Sequence, residues 1–291
     1  MTRGRAGVAL RDEVDTEAVA EFRQRYGDTR LAEVTVVIAA YNEAANIAAV
    51  LDTIPSTVCG LPVAALVVDD GSDDGTVAAA RAHHAFAART TRNRGQGAAL
   101  RLGYHLAKSH GARYIATTDA DGQYDASELP LIIQPLLDDT ADFVTGSRRL
   151  GLYTTDDVVR HAGVHVFATL MSVIARRRVT DTSNGFRAFR AGVLDQLILE
   201  QPQYQATELL IGVIYRGFRV VEIGTSMRQR TSGSSKKGPN LVYGYRFARV
   251  ILRTWLREWR RNRQEHRRLA DPPPKAADDQ VERPRVMRDA S

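Results

Sequence analysis

The sequence predicts an α/β fold in which a mostly parallel sheet carries helices on both faces and is followed by a basic amphipathic helix. Short β-branched runs alternate with helical patterns, and three of these runs end directly in polar or acidic turns. Strands that are connected through helices pair in parallel, and the resulting sheet is buried on both faces. The chain has 291 residues, 44% of them hydrophobic, which is enough for one large core.

The elements are expected in the following order. Strands are expected over residues 33–41, 63–68, 114–118, 143–145 and 219–223. Helices are expected over residues 15–26, 44–53, 94–106, 158–176, 208–215 and 243–269, with a further helix after residue 76 and a loop over 179–190. The chain then divides into an N-terminal extension (1–32), an α/β domain (33–240), a basic helix (241–269) and a disordered tail (270–291).

Composition limits the classes of function. The net charge of +6 favours an anionic partner, for which nucleic acid, anionic lipid and phosphorylated small molecules are candidates. The single cysteine, Cys59, excludes an internal disulfide framework and favours a reducing, cytoplasmic location. No run approaches the roughly 20 apolar residues of a membrane-spanning helix, so we do not expect the chain to insert one.

The acidic turns carry the chemistry. Asp119 and Asp121 follow the strand at 114–118 on one side of an extended segment, where both can bind one Mg²⁺ or Mn²⁺ together with phosphate oxygens. Gln123 offers a further oxygen to the same ion. Asp70 ends the neighbouring strand, and ligands of parallel sheets bind beyond the carboxyl ends of the strands. Each motif alone could be a simple turn, because turns favour Asp and Gly for backbone reasons.

Six motifs occur along the chain in a set order. They are AAYNE (39–43), VVDDGSDDGT (67–76), NRGQG (93–97), TDADGQ (118–123), GSR (146–148) and DTSNGFR (181–187). In this order they resemble the family 2 glycosyltransferases, and most of all the dolichyl-phosphate mannose synthase-like branch. The resemblance covers about residues 33–240 and implies a GT-A, Rossmann-like fold. It also implies a metal-dependent, inverting transfer of a hexose from a nucleotide-diphosphate sugar.

The resemblance implies roles for individual residues as well. It places the nucleotide sugar at Ala39, Tyr41, Glu43, Val68, Asp70, Asp119 and the backbone of Ala120, and the metal at Asp119, Asp121 and Gln123. It places phosphates at Arg148, Arg160, Arg230 and Lys236, of which the last two lie in the loop RTSGSSK (230–236). The candidate catalytic residues are Asp121, Arg148 and Asp181.

The acceptor and the donor are left open. A polyprenyl phosphate acceptor is already an anion and needs only positioning and charge neutralisation, which suits Arg148, Arg160 and Arg187. A hydroxyl of a glycan, a protein or a secondary metabolite needs a general base, for which Asp181 and Glu208 are candidates. The donor is either GDP-mannose or a UDP-hexose.

The helix expected over 243–269 bears on the choice of acceptor. Its apolar stripe, which lies beside a row of arginines, consists of Tyr245, Ala248, Leu252, Trp255 and Trp259. Such a helix suits an anionic membrane surface, and the enzyme would then act as a peripheral protein on the inner face of the cell membrane, where a membrane-anchoring partner protein could assist it. Alternatively, the stripe packs on the core of the protein itself.

An alternative of another class is a nucleic-acid-binding protein, which the basic charge suggests. This class leaves the acidic turns unexplained, so we do not expect a nucleic-acid partner.

Overall fold

The computed structural model describes residues 10, 12–151, 158–228 and 240–270. The strands are β1 (Val34–Ala40), β2 (Thr57–Val58), β3 (Leu61–Asp69), β4 (Phe86–Arg89), β5 (Tyr114–Asp119), β6 (Phe143–Ser147), β7 (Arg187–Arg190) and β8 (Val220–Gly224). The α-helices are α1 (Glu13–Tyr26), α2 (Ala44–Asp52), α3 (Thr76–Ala82), α4 (Gln96–Ser109), α5 (Leu129–Leu137), α6 (Val158–Ala175), α7 (Gln205–Tyr215) and α8 (Asn240–Ala270). Every strand and helix expected from the sequence is present.

The strands form one sheet in the order β2-β3-β1-β5-β7-β6-β8, with β4 also paired to β3. Strands β4, β3, β1 and β5 run parallel to one another, as do β6 and β8. Strand β7 lies antiparallel between β5 and β6, and β2 pairs antiparallel with the start of β3. The mostly parallel sheet is therefore confirmed.

Both faces of the sheet are buried, as the continuous apolar run of β1 predicts. Val36, Val37 and Ile38 are fully buried, and successive side chains of a strand point to opposite faces. One face packs against α1, α4, α6, α7 and α8, and the other against α2, α3 and α5. In a sheet covered on both faces, ligands bind beyond the carboxyl ends of the strands.

The loop expected over residues 179–190 is wrong at its end, because 187–190 form strand β7 in the middle of the sheet. This strand has an arginine at each end, so its sequence lacks the apolar run that predicts a buried strand. Arg187 is nevertheless buried, since its guanidinium donates to the carbonyl oxygens of Asn184, Thr182 and Ala206. Three further elements were not expected from the sequence: the short strands β2 and β4, of two and four residues, and helix α5, which contains prolines.

Helix α1 packs on the edge of the sheet rather than extending away from it. Phe22 is buried, and the rings of Tyr26 and Phe86 lie 5.0 Å apart in an edge-on contact. The hydroxyl of Tyr26 accepts a hydrogen bond from the amide of Ala87 in β4 at 3.1 Å. The segment assigned to the N-terminal extension therefore contributes to the core from α1 onward.

Helix α8 packs through a different face from the stripe that its sequence suggests. The buried side chains are Phe247, Val250, Ile251, Thr254 and Glu258. In the predicted stripe, Tyr245 is 70%, Leu252 48% and Trp259 37% exposed. The packed face includes the acidic residue Glu258, so it does not stand out as an apolar stripe in the sequence. Glu258 can be buried because it forms an ion pair with Arg216, whose side chain is also largely buried.

Candidate functional site

The register of three parallel strands brings the predicted site residues together. Ala39 lies beside Val68 of β3 on one side and beside Asp119 of β5 on the other. Ala40 lies beside Asp69. Because the three strands run parallel, their carboxyl ends, and the turns that follow, lie at one edge of the sheet. The acidic turns therefore lie at one edge of the sheet, as the sequence predicts.

The turns after β1 and β3 are bound to each other. The amide of Asn42 donates to the hydroxyl of Ser72 at 2.8 Å, and the amide of Glu43 donates to the hydroxyl of Thr76 at 3.0 Å. Tyr41 is half-buried at the start of the first turn. These cross-links fix the positions of Tyr41 and Glu43 relative to β3.

Asp70 is almost completely buried and accepts hydrogen bonds from the segment before α4. The amide of Arg94 lies 3.0 Å from both of its carboxylate oxygens, and the amide of Gly95 lies 2.6 Å from Oδ2. Burial raises the pKa of Asp70 above its usual value, and the amides of Arg94 and Gly95 offset that rise only in part. Asp70 is thus a rigidly held hydrogen-bond acceptor beside the residues predicted to bind the nucleoside.

Asp119, the last residue of β5, and Asp121, in the turn that follows, form the acidic pair. The amide of Gln123 donates to Asp121 Oδ1 at 3.1 Å, and Gln123 Nε2 donates to the carbonyl of Arg228 at 3.2 Å. Within the described ranges, no group of three or more His, Cys, Asp and Glu side chains is arranged to hold a metal. Two carboxylates are still suitable ligands for a hard divalent cation whose remaining ligands come from a diphosphate.

Two neighbours of Asp119 were missed as site residues. Gln96, in the NRGQG motif, donates from Nε2 to Asp119 Oδ1 at 2.9 Å. A Cβ atom on Gly185 would lie 2.9 and 3.0 Å from the carboxylate oxygens of Asp119, so only glycine fits without displacing them. Both contacts join segments that are far apart in sequence, although the motifs themselves mark Gln96 and Gly185.

Arg148 and Asp181 contact each other. Nε and Nη2 of Arg148 donate to the two carboxylate oxygens of Asp181 at 2.6 and 2.7 Å, and Nη2 also donates to the hydroxyl of Ser183 at 2.6 Å. Burial alone would raise the pKa of Asp181, but the hydrogen bonds and charge of Arg148 outweigh burial and hold that pKa below its usual range. A fully buried, ion-paired carboxylate is poorly placed to take a proton from an acceptor, which argues against Asp181 as the general base.

Glu208 is the other carboxylate considered as a base, and the structure contradicts that role. Glu208 is fully buried and accepts hydrogen bonds from the amides of Glu200 and Gln201 at 2.8 to 2.9 Å. It also pairs with Arg257 of α8 at 2.9 Å. Glu208 therefore attaches α8 to the loop before α7.

Arg187 also differs from its expected role as a phosphate ligand. Its donors are used by three backbone carbonyls, and burial lowers its pKa to about 10. The side chain of Arg160 and the residues Arg230 and Lys236 lie outside the described part of the chain.

Helices α6 and α8 pack together and leave large apolar side chains exposed. The rings of Phe167 and Phe247 lie 4.6 Å apart between the two helices. We define the α6–α8 surface as the exposed residues Val166, Val173, Tyr245, Leu252 and Trp259. Within the described residues, none of the helices has the length and apolar character needed to cross a membrane.

An α/β sheet with an acidic pair at the end of a central strand agrees with the GT-A glycosyltransferase fold that the sequence motifs imply. The chain belongs to glycosyl transferase family 2, whose family model matches residues 35–198. Two relatives support this assignment. An uncharacterised glycosyltransferase of Mycobacterium tuberculosis is 35% identical over 72% of this chain and 91% of its own length. The dolichyl-phosphate hexose transferase of Haloferax volcanii is 30% identical over 78% of this chain and 95% of its own.

A solved structure shows the same fold. Glucosyl-3-phosphoglycerate synthase from M. tuberculosis, in complex with Mn²⁺, uridine diphosphate and phosphoglyceric acid, aligns with a TM-score of 0.60. It is 21% identical, and the alignment covers 86% of this chain and 84% of that structure. This structural likeness confirms the GT-A fold, and the family match with the H. volcanii relative confirms the resemblance to the dolichyl-phosphate mannose synthase-like branch.

Proposed function

We propose that this glycosyltransferase moves a hexose, with inversion, from a nucleotide-diphosphate sugar to a polyprenyl phosphate at a membrane surface. The observation that carries the proposal is the meeting of Asp70, Asp119 and Asp121 at one edge of the sheet, while Asp181 and Glu208 are buried and ion-paired and so poorly placed to act as a base. Asp70, Glu43 and Tyr41 would bind the nucleoside. Glycosyl transfer itself is the activity of the family.

The donor site suits a diphosphate leaving group. Asp119 and Asp121, with Gln123, would hold Mg²⁺ or Mn²⁺ through oxygen ligands. Such an ion supplies positive charge that stabilises the departing nucleoside diphosphate. The chain's own part is to fix the two carboxylates, which Gln96 and the close approach of Gly185 do for Asp119.

A phosphate acceptor fits the charged groups of the site better than a hydroxyl does. An oxygen of the acceptor phosphate attacks the anomeric carbon on the side opposite the diphosphate. The new carbon–oxygen bond forms as the bond to the donor β-phosphate oxygen breaks, and the electron pair leaves with the nucleoside diphosphate. No proton has to be removed from a phosphate oxygen, so the reaction does not need Asp181 or Glu208 to act as a base. Arg148, with Arg160, would neutralise phosphate charge.

The α6–α8 surface supports a lipid-linked acceptor. Its exposed aromatic and aliphatic side chains stand beside the exposed arginines Arg249, Arg253 and Arg260 of α8. Apolar side chains with flanking arginines suit the interface of an anionic bilayer. We therefore infer a peripheral enzyme on the inner face of the cell membrane, where a membrane-anchoring partner could assist it. The H. volcanii relative, named a dolichyl-phosphate hexose transferase, is consistent with this acceptor class.

The proposal is tested by offering labelled GDP-mannose, UDP-glucose and UDP-N-acetylglucosamine to the purified protein with Mn²⁺ or Mg²⁺. One set of reactions contains vesicles with polyprenyl phosphate, and a parallel set contains phosphoglyceric acid or soluble glycans. Label in the lipid supports the proposal and identifies the donor. Label only in a soluble product would show that the polyprenyl phosphate acceptor is wrong, while the proposed donor chemistry would stand.

A further inference from the structure

The three residues Arg94, Gly95 and Gln96 bridge the two acidic strand ends. The amides of Arg94 and Gly95 donate to the carboxylate of Asp70, and the side chain of Gln96 donates to Asp119. This bridge lies at the start of α4, where Gly95 has a φ of +95°, a conformation that glycine adopts without strain. The position of this bridge therefore fixes the carboxylates of Asp70 and Asp119 relative to each other.

The side chain of Arg94 points away from the site and is held by α1. Its Nη1 donates to Asp12 Oδ1 at 2.7 Å, and its Nη2 donates to Asp15 Oδ1 at 2.7 Å. Asp12 caps α1 by accepting a hydrogen bond from the amide of Asp15 at 3.0 Å, so both carboxylates belong to one rigid helix end. The Arg94 side chain is only 11% exposed and that of Asp15 only 7%, so water screens the contact with Asp15 weakly, whereas Asp12 is 41% exposed and its contact is screened more.

The pKa shifts of Arg94 and Asp12 agree with a strong ion pair between Arg94 and the start of α1. The hydrogen bonds and charges of Asp15 and Asp12 raise the pKa of Arg94 even though burial opposes that rise. Burial acts to raise the pKa of Asp12, but the backbone amide of Asp15, the Arg94 guanidinium and the nearby Arg92 together hold that pKa below its usual range. These directions are those of an ion pair between Arg94 and Asp12.

We propose that Asp12 and Asp15 are positioning residues for the donor site: through Arg94 they fix the bridge that orients Asp70 and Asp119. This inference rests on the proposed function, because Asp70 and Asp119 are taken to bind the donor. It gives α1, which precedes the matched family segment, a part in nucleotide binding.

The test compares nucleotide binding by the whole protein and by variants of α1. UDP and GDP are titrated by calorimetry in the presence of Mn²⁺, and the melting temperature of each variant is measured alongside. The variants are Asp15→Asn and the double change Asp12→Asn with Asp15→Asn. The matched control is Glu21→Gln, because Glu21 lies on the same helix but pairs with Arg81 at the surface, at 3.5 Å.

We expect the double variant to bind the nucleotide about tenfold more weakly, in line with the loss of charge-assisted hydrogen bonds, while Glu21→Gln binds normally. In turnover, the KM for the donor should rise more than kcat falls. Arg94→Lys, which keeps the charge but not both hydrogen bonds, should give an intermediate affinity and serves as the second variant if the double change does not fold. Unchanged affinity with a lowered melting temperature would overturn the inference. If the wild-type protein binds neither nucleotide, the proposed function itself fails.

Discussion

Arg148 and Asp181 form a buried ion pair in which two guanidinium nitrogens bond the two carboxylate oxygens, at 2.6 and 2.7 Å. The backbone amide of Arg148 also donates to Asp181 Oδ2 at 3.2 Å. The pair joins the GSR motif at the end of β6 to the DTSNGFR motif that leads into β7. Asp181 thus orients the arginine that we propose meets phosphate.

The first prediction concerns Asp181→Asn. Removing the negative charge leaves the Arg148 guanidinium buried without its counter-charge, and we expect a loss of roughly 3 to 5 kcal/mol in the free energy of unfolding. Urea denaturation at pH 7 measures this loss. The control is Asp195→Asn at the exposed ion pair with Lys108, which should cost less than about 1 kcal/mol. Equal effects of the two changes would refute the structural role of the pair.

The second prediction is the pH dependence of the same variant. The pKa of Asp181 is lower in the folded protein than in the unfolded chain. Its stabilising contribution is therefore fully present above the unfolded pKa of about 4 and is lost as pH falls through the folded pKa. The difference in unfolding free energy between wild type and Asp181→Asn should shrink below about pH 4. Denaturation curves from pH 7 down to pH 2.5 measure it, and a difference that grows on acidification would contradict the assignment.

The third prediction concerns Gln96→Ala. The change removes the hydrogen bond that orients Asp119, so we expect Mn²⁺ to bind about tenfold more weakly in the presence of nucleotide. Electron paramagnetic resonance of free Mn²⁺ measures this affinity. Gln134→Ala is the matched control, because Gln134 donates to Asp138 at 2.7 Å on the surface of α5. An unchanged affinity for Gln96→Ala would show that Asp119 needs no such partner.

The fourth prediction concerns Gly185→Ala. The new methyl group would lie about 3 Å from the Asp119 carboxylate and displace it, so kcat/KM for the donor should fall at least about tenfold. Gly192→Ala is the control, because a Cβ there meets no atom within 4 Å. Steady-state rates at varied donor concentration compare the two. A similar effect from both changes would indicate a general loss of stability rather than a displaced carboxylate.

The fifth prediction concerns the α6–α8 surface. Replacing Leu252 and Trp259 together by Ser removes two exposed apolar side chains, and binding to anionic vesicles should weaken at least about tenfold. Co-sedimentation with vesicles measures the binding. Leu131→Ser, at a 47% exposed leucine on α5, should leave binding unchanged. If the double variant sediments like the wild type, the vesicle contact lies elsewhere.

The sequence was sufficient to predict the alternation of strands and helices and the meeting of the acidic turns. Those features depend on local apolar runs, such as Val34 to Ala40, and on the general rule that parallel strands end at the same edge. The family resemblance added the nucleotide and metal roles, which stay proposals for this chain.

The remaining features depend on partners that are distant in sequence. Strand β7 was not predictable because the burial of Arg187 depends on a carbonyl in α7. The packed face of α8 was not predictable because Glu258 needs Arg216 as its counter-ion. The positions of Gln96 and Arg94 were visible in a motif, but their contacts with Asp119 and with α1 were not.

The most direct test of the central claim is transfer of labelled sugar into butanol-extractable lipid by the wild-type protein and by Asp121→Ala, with polyprenyl phosphate vesicles and Mn²⁺. We predict lipid-phase label that requires both the acceptor and the metal, that is lost on chelation and that is lost in Asp121→Ala. If the wild type turned over none of the donors, or if Asp121→Ala produced as much labelled lipid as the wild type, the assignment of Asp119 and Asp121 to the site of transfer would be contradicted.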